Sequence, residues 1–230
     1  MDRSHDLHDT ATVFTATVFV VDPDPATGGV VREVLEGSGL DCEFFRSGRD
    51  FLAAYHNSRS GCLVLEQRIP DMSGLQLQHR LSASGCQLPL VFMTTDTDVS
   101  TAVELMRGGA VHVLEKPPRA VELYSAIQEA LALDRVRRQA KHQQAKLDDL
   151  TAALTRKERQ VLELIGQGRS SKAMAAELEL SVRAIELRRN GLMKKLGLHS
   201  SLELMRFAVI ALKESVNGSS EQLLATAASA

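Results

Sequence analysis

Short apolar runs, many of them β-branched, alternate with helical patterns through the first half of the chain. TVFVVD (17–22), CEFFRS (42–47), CLVLE (62–66), LVFMTT (90–95) and AVHVLE (110–115) are bounded by Gly, Pro, Asp or Ser and read as strands. Between them, residues 25–37, 48–56, 74–83 and 98–108 carry apolar positions at helical spacing. This alternation predicts parallel strands joined by helical crossovers, hence an α/β doubly wound five-stranded sheet covered on both faces. Functional side chains of such sheets lie at the C-terminal strand ends. Here those ends are Asp22, Glu66, Thr94 and, just past the fifth strand, Lys116.

From Arg119 the pattern becomes helical and stays so. Leu133, Val136, Ala140, Gln143, Leu147, Leu150 and Leu154 step alternately by three and four residues, a heptad seam with one polar interruption. Two readings are open: a linker helix that pairs with a second copy, or a spacer whose apolar residues dock on its own domains. Four short helices follow. Thr155 with Glu158 forms a capping box, Gly166 and Gly168 end the first helix, Ser170 or Ser171 opens the second, Ser181 the third, and Ser200 with Glu203 a fourth at 201–213. The expected boundaries are 15–132 for the sheet domain, 133–150 for the helical linker, 151–213 for an all-α domain and 214–230 for a frayed tail.

Charge changes the picture more than composition does. The chain has 230 residues and a net charge of -2. Residues 11–132 hold 9 Lys/Arg against 15 Asp/Glu, whereas residues 151–213 hold 12 against 6. An acidic half is therefore joined to a basic one, and the basic one suits nucleic acid. Cys42, Cys62 and Cys86 lack any CxxC spacing, so they read as small core residues rather than as a disulfide framework or a zinc site. No apolar run is long enough to span a membrane and the first ten residues are too polar for a signal peptide, so a cytoplasmic protein is expected.

SSKAMAAELELSVRAIELRR (170–189) reads as two helices separated by a tight turn at Glu179 and Leu180. On the second helix Ile185, Leu192 and Leu196 share an inward face, leaving Arg183, Glu186, Leu187, Asn190 and Lys194 to look outward, as a helix in the major groove requires. The longer stretch LTRKERQVLELIGQGRSSKAMAAELELSVRAIELRRNGLMKKLG resembles the LuxR-type helix-turn-helix domain throughout. It departs at Ala184, where that family usually has Thr, and at Arg188, where it usually has His. The resemblance implies binding to double-stranded DNA through Ser170, Lys172, Arg183, Glu186, Leu187, Arg188, Arg189, Asn190 and Lys194, with Glu186 and Asn190 directed at base edges. It also implies a homodimer joined through Leu202, Met205, Val209 and Leu212 of the last helix, with RNA polymerase a candidate contact.

The acidic half resembles a response-regulator receiver domain of the FixJ/NarL sort, through VVDPDP, CLVLEQRIPDMSG, MTTDTD and VLEKPP in that order. Receivers of this kind accept phosphate from a histidine kinase onto an Asp at the end of the third strand. A Mg²⁺ ion held by acids at the end of the first strand assists, and a Thr or Ser and a Lys contact the phosphoryl group. By that resemblance Asp22, Thr94 and Lys116 are retained, and a cis bond from Lys116 to Pro117 is expected. The phosphoacceptor position, however, is Glu66, and Pro23 replaces the second acid of the metal pair. Val113 stands at the aromatic switch position.

A pyrrolidine ring offers Mg²⁺ no oxygen, and the extra methylene of Glu66 displaces its carboxylate by about 1.5 Å from where an Asp would hold it. No metal or other cofactor is therefore expected at Asp22, Pro23 and Glu66, and a histidine-kinase partner is disfavoured. Glu66 then imitates the phosphorylated state, or simply pairs with Lys116 in an inert dimerisation block, or leaves residual regulation by another signal. The expected function is a phosphorylation-independent, non-enzymatic DNA-binding transcription regulator. The rivals are a conventional phosphorylated regulator and an interaction module without DNA binding.

Overall fold

The computed structural model describes residues 16–95 and 98–212. The expected tail (214–230), the opening ten residues, and Asp96 and Thr97 of MTTDTD lie outside them. The chain divides into two compact units between Ala140 and Lys141.

The first unit carries strands β1 (Thr17–Val21), β2 (Asp41–Phe45), β3 (Gly61–Leu65), β6 (Leu90–Thr94) and β7 (His112–Glu115) in one parallel sheet of order β2-β1-β3-β6-β7. Every residue of β1, β3 and β6 is buried, which is why these runs are apolar on both pleat faces. Alternate residues feed two cores. Phe19, Leu63, Leu65 and Phe92 pack on helices α2 (Gly48–Ala54), α3 (Gly74–Ala83) and α4 (Val99–Arg107). Val18, Val20, Val64 and Val91 pack on α1 (Pro25–Val34) and α5 (Ala120–Ala152). Cys62 and Cys86 lie in these cores and Cys42 packs at the edge of one.

A two-stranded antiparallel hairpin, β4 (Arg68–Ile69) and β5 (Met72–Ser73), follows β3 and went unanticipated. Its turn residue Asp71 accepts hydrogen bonds from the Gly48 and Arg49 amides, at 3.0 and 2.8 Å, and so caps α2 from across the chain. Helix α5 is continuous well past residue 132. Asp134, 3% exposed, accepts from the Ser60 hydroxyl at 2.9 Å and the Gly61 amide at 3.0 Å, and pairs with Arg138, which donates to the carbonyls of Asn57, Ser58 and Arg59. The first unit therefore extends at least to Arg138. Gly61 is irreplaceable at this junction: its φ is +154° and a Cβ would lie 1.9 Å from the Thr17 carbonyl oxygen.

The second unit packs α6 (Arg156–Gly166), α7 (Ser171–Glu177), α8 (Val182–Leu196) and the helix at 201–212, here α9, around Val161, Ile165, Met174, Ile185, Leu192 and Leu204. Leu147, Leu150 and Leu154 join this core, whereas Val136 is 62% exposed and Ala140 and Gln143 are also exposed. The C-terminal part of the heptad seam thus serves intramolecular docking, because those leucines find a core within their own unit. Ser170, not Ser171, caps α7, and Glu179 turns the chain between α7 and α8 with a positive φ of 53°. Glu203 accepts from the His199 amide rather than completing the box on Ser200.

Glu158 completes the capping box with Thr155 and also receives Lys195 of α8 at 2.8 Å. The Lys195 ammonium first, and the cap hydrogen bonds next, bring its carboxyl from 4.5 down to about 2. A depressed acid stabilises the fold above its ordinary value and loses that contribution as pH falls from about 4.5 to about 2. In acid titrations followed by circular dichroism, Glu158→Gln should be less stable than the parent at neutral pH and indistinguishable from it near pH 2.

Candidate functional site

The register that pairs Val21 with Leu65 places Asp22 and Glu66 side by side just beyond β1 and β3. Pairing of Thr94 with Glu115 likewise carries Lys116 to the same sheet edge. Asp22 is 1% exposed, Glu66 7% and Thr94 fully buried. Lys116 Nζ donates to Asp22 Oδ2 and, at 2.6 Å, to Glu66 Oε2, joining the two carboxylates. Their other oxygens are engaged as well. Asp22 Oδ1 accepts from the Asp24 amide at 2.8 Å, and Glu66 Oε1 from the Gln67 and Arg68 amides at 2.6 and 3.3 Å. The Lys116–Pro117 bond is cis.

Burial alone would lower the Lys116 ammonium, but the hydrogen bonds and charges of Asp22 and Glu66 outweigh it and hold it above the ordinary lysine value of 10.5. The lysine therefore stays charged, and the pocket is a tight ion cluster with a net charge of about -1. A magnesium ion does not fit this donor set. Pro23 is exposed and has no side-chain oxygen, the Asp24 carboxylate accepts from Ala26 at 2.9 Å as the cap of α1, and Asp22 and Glu66 are drawn onto Lys116. Val113 packs against the first core.

In the second unit Ile185, Leu192 and Leu196 are buried, while Arg183, Glu186, Leu187, Asn190 and Lys194 are exposed, Leu187 at 65%. Arg183, Leu187, Asn190 and Lys194 step by four, three and four, and form one outward stripe on α8. Arg188 and Arg189 are half-buried at its flanks and Lys172 is exposed on α7. Ser170 Oγ accepts from the Ala173 amide at 3.2 Å, so its hydroxyl proton is left to find another acceptor. Glu186, expected at base edges, is exposed, and its Oε1 accepts from Ser171 Oγ at 2.5 Å. No local signal in the sequence links Ser171 to Glu186, fifteen residues away.

Comparison with known proteins agrees with both halves of this description. Residues 18–128 match the response regulator receiver domain family, and residues 152–208 match the luxR family of bacterial regulatory proteins. The transcriptional regulatory protein TdiR of Thauera aromatica is 36% identical over 200 residues, covering 87% of this chain and 88% of its own. The transcriptional regulatory protein FixJ of Bradyrhizobium diazoefficiens is 34% identical over 195 residues, covering 84% and 94%. Among solved structures, the response regulator StyR superposes with a TM-score of 0.77 at 36% identity, over 84% of this chain and 98% of that one.

Proposed function

We propose that this chain, which belongs to the DNA-binding two-component response regulators of the FixJ, TodT and TdiR type, regulates transcription without being phosphorylated on its receiver. The observation that carries this reading is the clamp of Lys116 on Asp22 and Glu66. In-line phosphoryl transfer requires a carboxylate oxygen open to attack and a metal to gather the phosphate oxygens. Both oxygens of Glu66 already hold donors, Pro23 replaces one acid of the metal pair, Asp24 caps a helix, and Asp22 is held by Lys116. Glu66 instead places a permanent charge of about -1 where a phosphoryl group would bring about -1.5 to -2. It partly imitates the phosphorylated state beside the buried Thr94.

The protein acts by binding, not turnover. It works in the cytoplasm, where its DNA is, and among the described residues no helix is long and apolar enough to cross a membrane. Arg183, Leu187, Asn190 and Lys194 face the major groove, Ser170, Lys172, Arg188 and Arg189 the phosphates. Two copies bind paired half-sites, joined through the exposed Leu202, Met205 and Val209 of α9, and RNA polymerase is a further contact. The receiver corresponds to residues 15–132 with α5 extending it, and the DNA-binding domain to 151–213.

The Glu66–Lys116 pair also suits an inert receiver that serves only to join two copies, and one experiment tests both readings. Selection of bound fragments from random DNA should return a sequence motif, and affinity for it should fall steeply with salt as phosphate contacts displace counterions. Glu66→Gln should weaken that affinity several-fold under imitation and leave it unchanged in an inert receiver. Flat, motif-free retention would remove the DNA reading altogether.

A further inference from the structure

We infer that Glu186 and Ser171 are positioning residues that set the Arg189 guanidinium against the DNA backbone, Glu186 not being a reader of bases. The outward stripe of α8 runs through Arg183, Leu187, Asn190 and Lys194. Glu186 and Arg189 lie beside it, three residues apart and so stacked on one flank. Ser171, the first residue of α7, joins them. Its single hydroxyl proton goes to Glu186 Oε1 at 2.5 Å, and its oxygen accepts from Arg189 Nη1 at 3.1 Å. A hydroxyl used this way is a relay between a carboxylate and a guanidinium, and both of its hydrogen bonds are charge-assisted.

Two consequences follow for the DNA interface. Arg189 commits one of its five N–H donors to Ser171, which restrains a side chain that otherwise loses considerable rotamer freedom when it engages a phosphate. Glu186, for its part, would have to leave the Ser171 hydroxyl before it could accept from a cytosine amino group. An acid on the recognition helix is in this way turned from a source of repulsion into the anchor of a cation. The role rests on the DNA-binding reading above and deepens it.

The sign of one substitution separates this role from plain electrostatics. Removing an acid near phosphates should by itself strengthen binding, whereas removing an anchor of Arg189 should weaken it. The full-length protein and its selected DNA fragment would be titrated at several salt concentrations with Ser171→Ala, Ser171→Thr, Glu186→Ala and Arg189→Ala, and with the Glu186→Ala and Arg189→Ala pair. Ser171→Ala and Glu186→Ala are each expected to weaken binding about five-fold on every sequence. Each should lower the salt slope by about one, as Arg189→Ala does, and leave the selected motif unchanged. Ser171→Thr should bind like the parent, and Glu186→Ala should add nothing in the Arg189→Ala background. Tighter binding by Glu186→Ala, a changed base preference, or full additivity with Arg189→Ala would overturn the role. A parent that binds no DNA at any salt would overturn the underlying DNA reading instead, and it is recognised without any variant.

Discussion

Lys116→Met is expected to destabilise the receiver unit by about 3–5 kcal/mol at neutral pH, the range seen when one partner of a buried ion pair is removed. The ammonium holds two buried carboxylates, so its loss leaves Asp22 and Glu66 side by side with no cation between them. Burial and mutual repulsion would then raise both acids above their ordinary values. A raised acid contributes stability at low pH and loses it as pH rises, so the deficit of the variant should shrink on going from pH 7.5 toward pH 5. The parent's lysine acts in the same direction but at a much higher pH. Because the Lys116 value is raised, its contribution is complete below the ordinary lysine value and is lost only as strongly alkaline pH passes through the folded one. Urea unfolding at two pH values measures both the loss and its slope. A loss under about 1 kcal/mol, or one that does not change with pH, would show that the cluster is more hydrated than its burial indicates. Adding Glu66→Gln to the variant should restore part of the stability.

Asp134→Ala is the second large expected effect, about 3 kcal/mol. The carboxylate is nearly fully buried and receives Ser60, Gly61 and Arg138 together. Alanine would leave a buried hydroxyl and a buried amide without their acceptor, and would remove the countercharge of a guanidinium that gathers the loop ahead of β3. The backbone cannot move in to compensate, since Gly61 already lies too close to Thr17 for any side chain. Asp134→Asn keeps an acceptor for the Gly61 amide and should be milder. Denaturant unfolding supplies the magnitude, and amide exchange at Gly61 should accelerate in both variants, more strongly in the alanine one.

The sheet was legible because each strand is an apolar run with punctuation at both ends, and the runs end within two residues of the observed strands. The pocket was legible for a related reason. Parallel register brings strand tips together, so Asp22, Glu66 and Lys116 are neighbours once the strand order is known. The caps of α6, α7 and α8 were readable too, because a Ser or Thr reaching an amide three residues ahead is a local event.

What escaped depends on contacts between distant segments. Asp71 caps a helix 23 residues earlier, and nothing near Asp71 announces it. Asp134 and Arg138 have the spacing of a helical ion pair, yet their burial against the Ser60 loop follows only from packing. The heptad pattern was real, but its last leucines had a nearer core to enter than a second copy could offer. The contact of Glu186 with Ser171 escaped as well, because the two side chains meet only after α7 and α8 pack.

The Glu66 pocket is expected to hold its charge and to take no phosphate. The most direct measurement incubates the purified protein with acetyl phosphate and Mg²⁺, records the intact mass, and titrates the selected DNA before and after. The expected result is an unchanged mass and an unchanged affinity. A mass gain of one phosphoryl group, absent in Glu66→Gln and accompanied by tighter DNA binding, would contradict it.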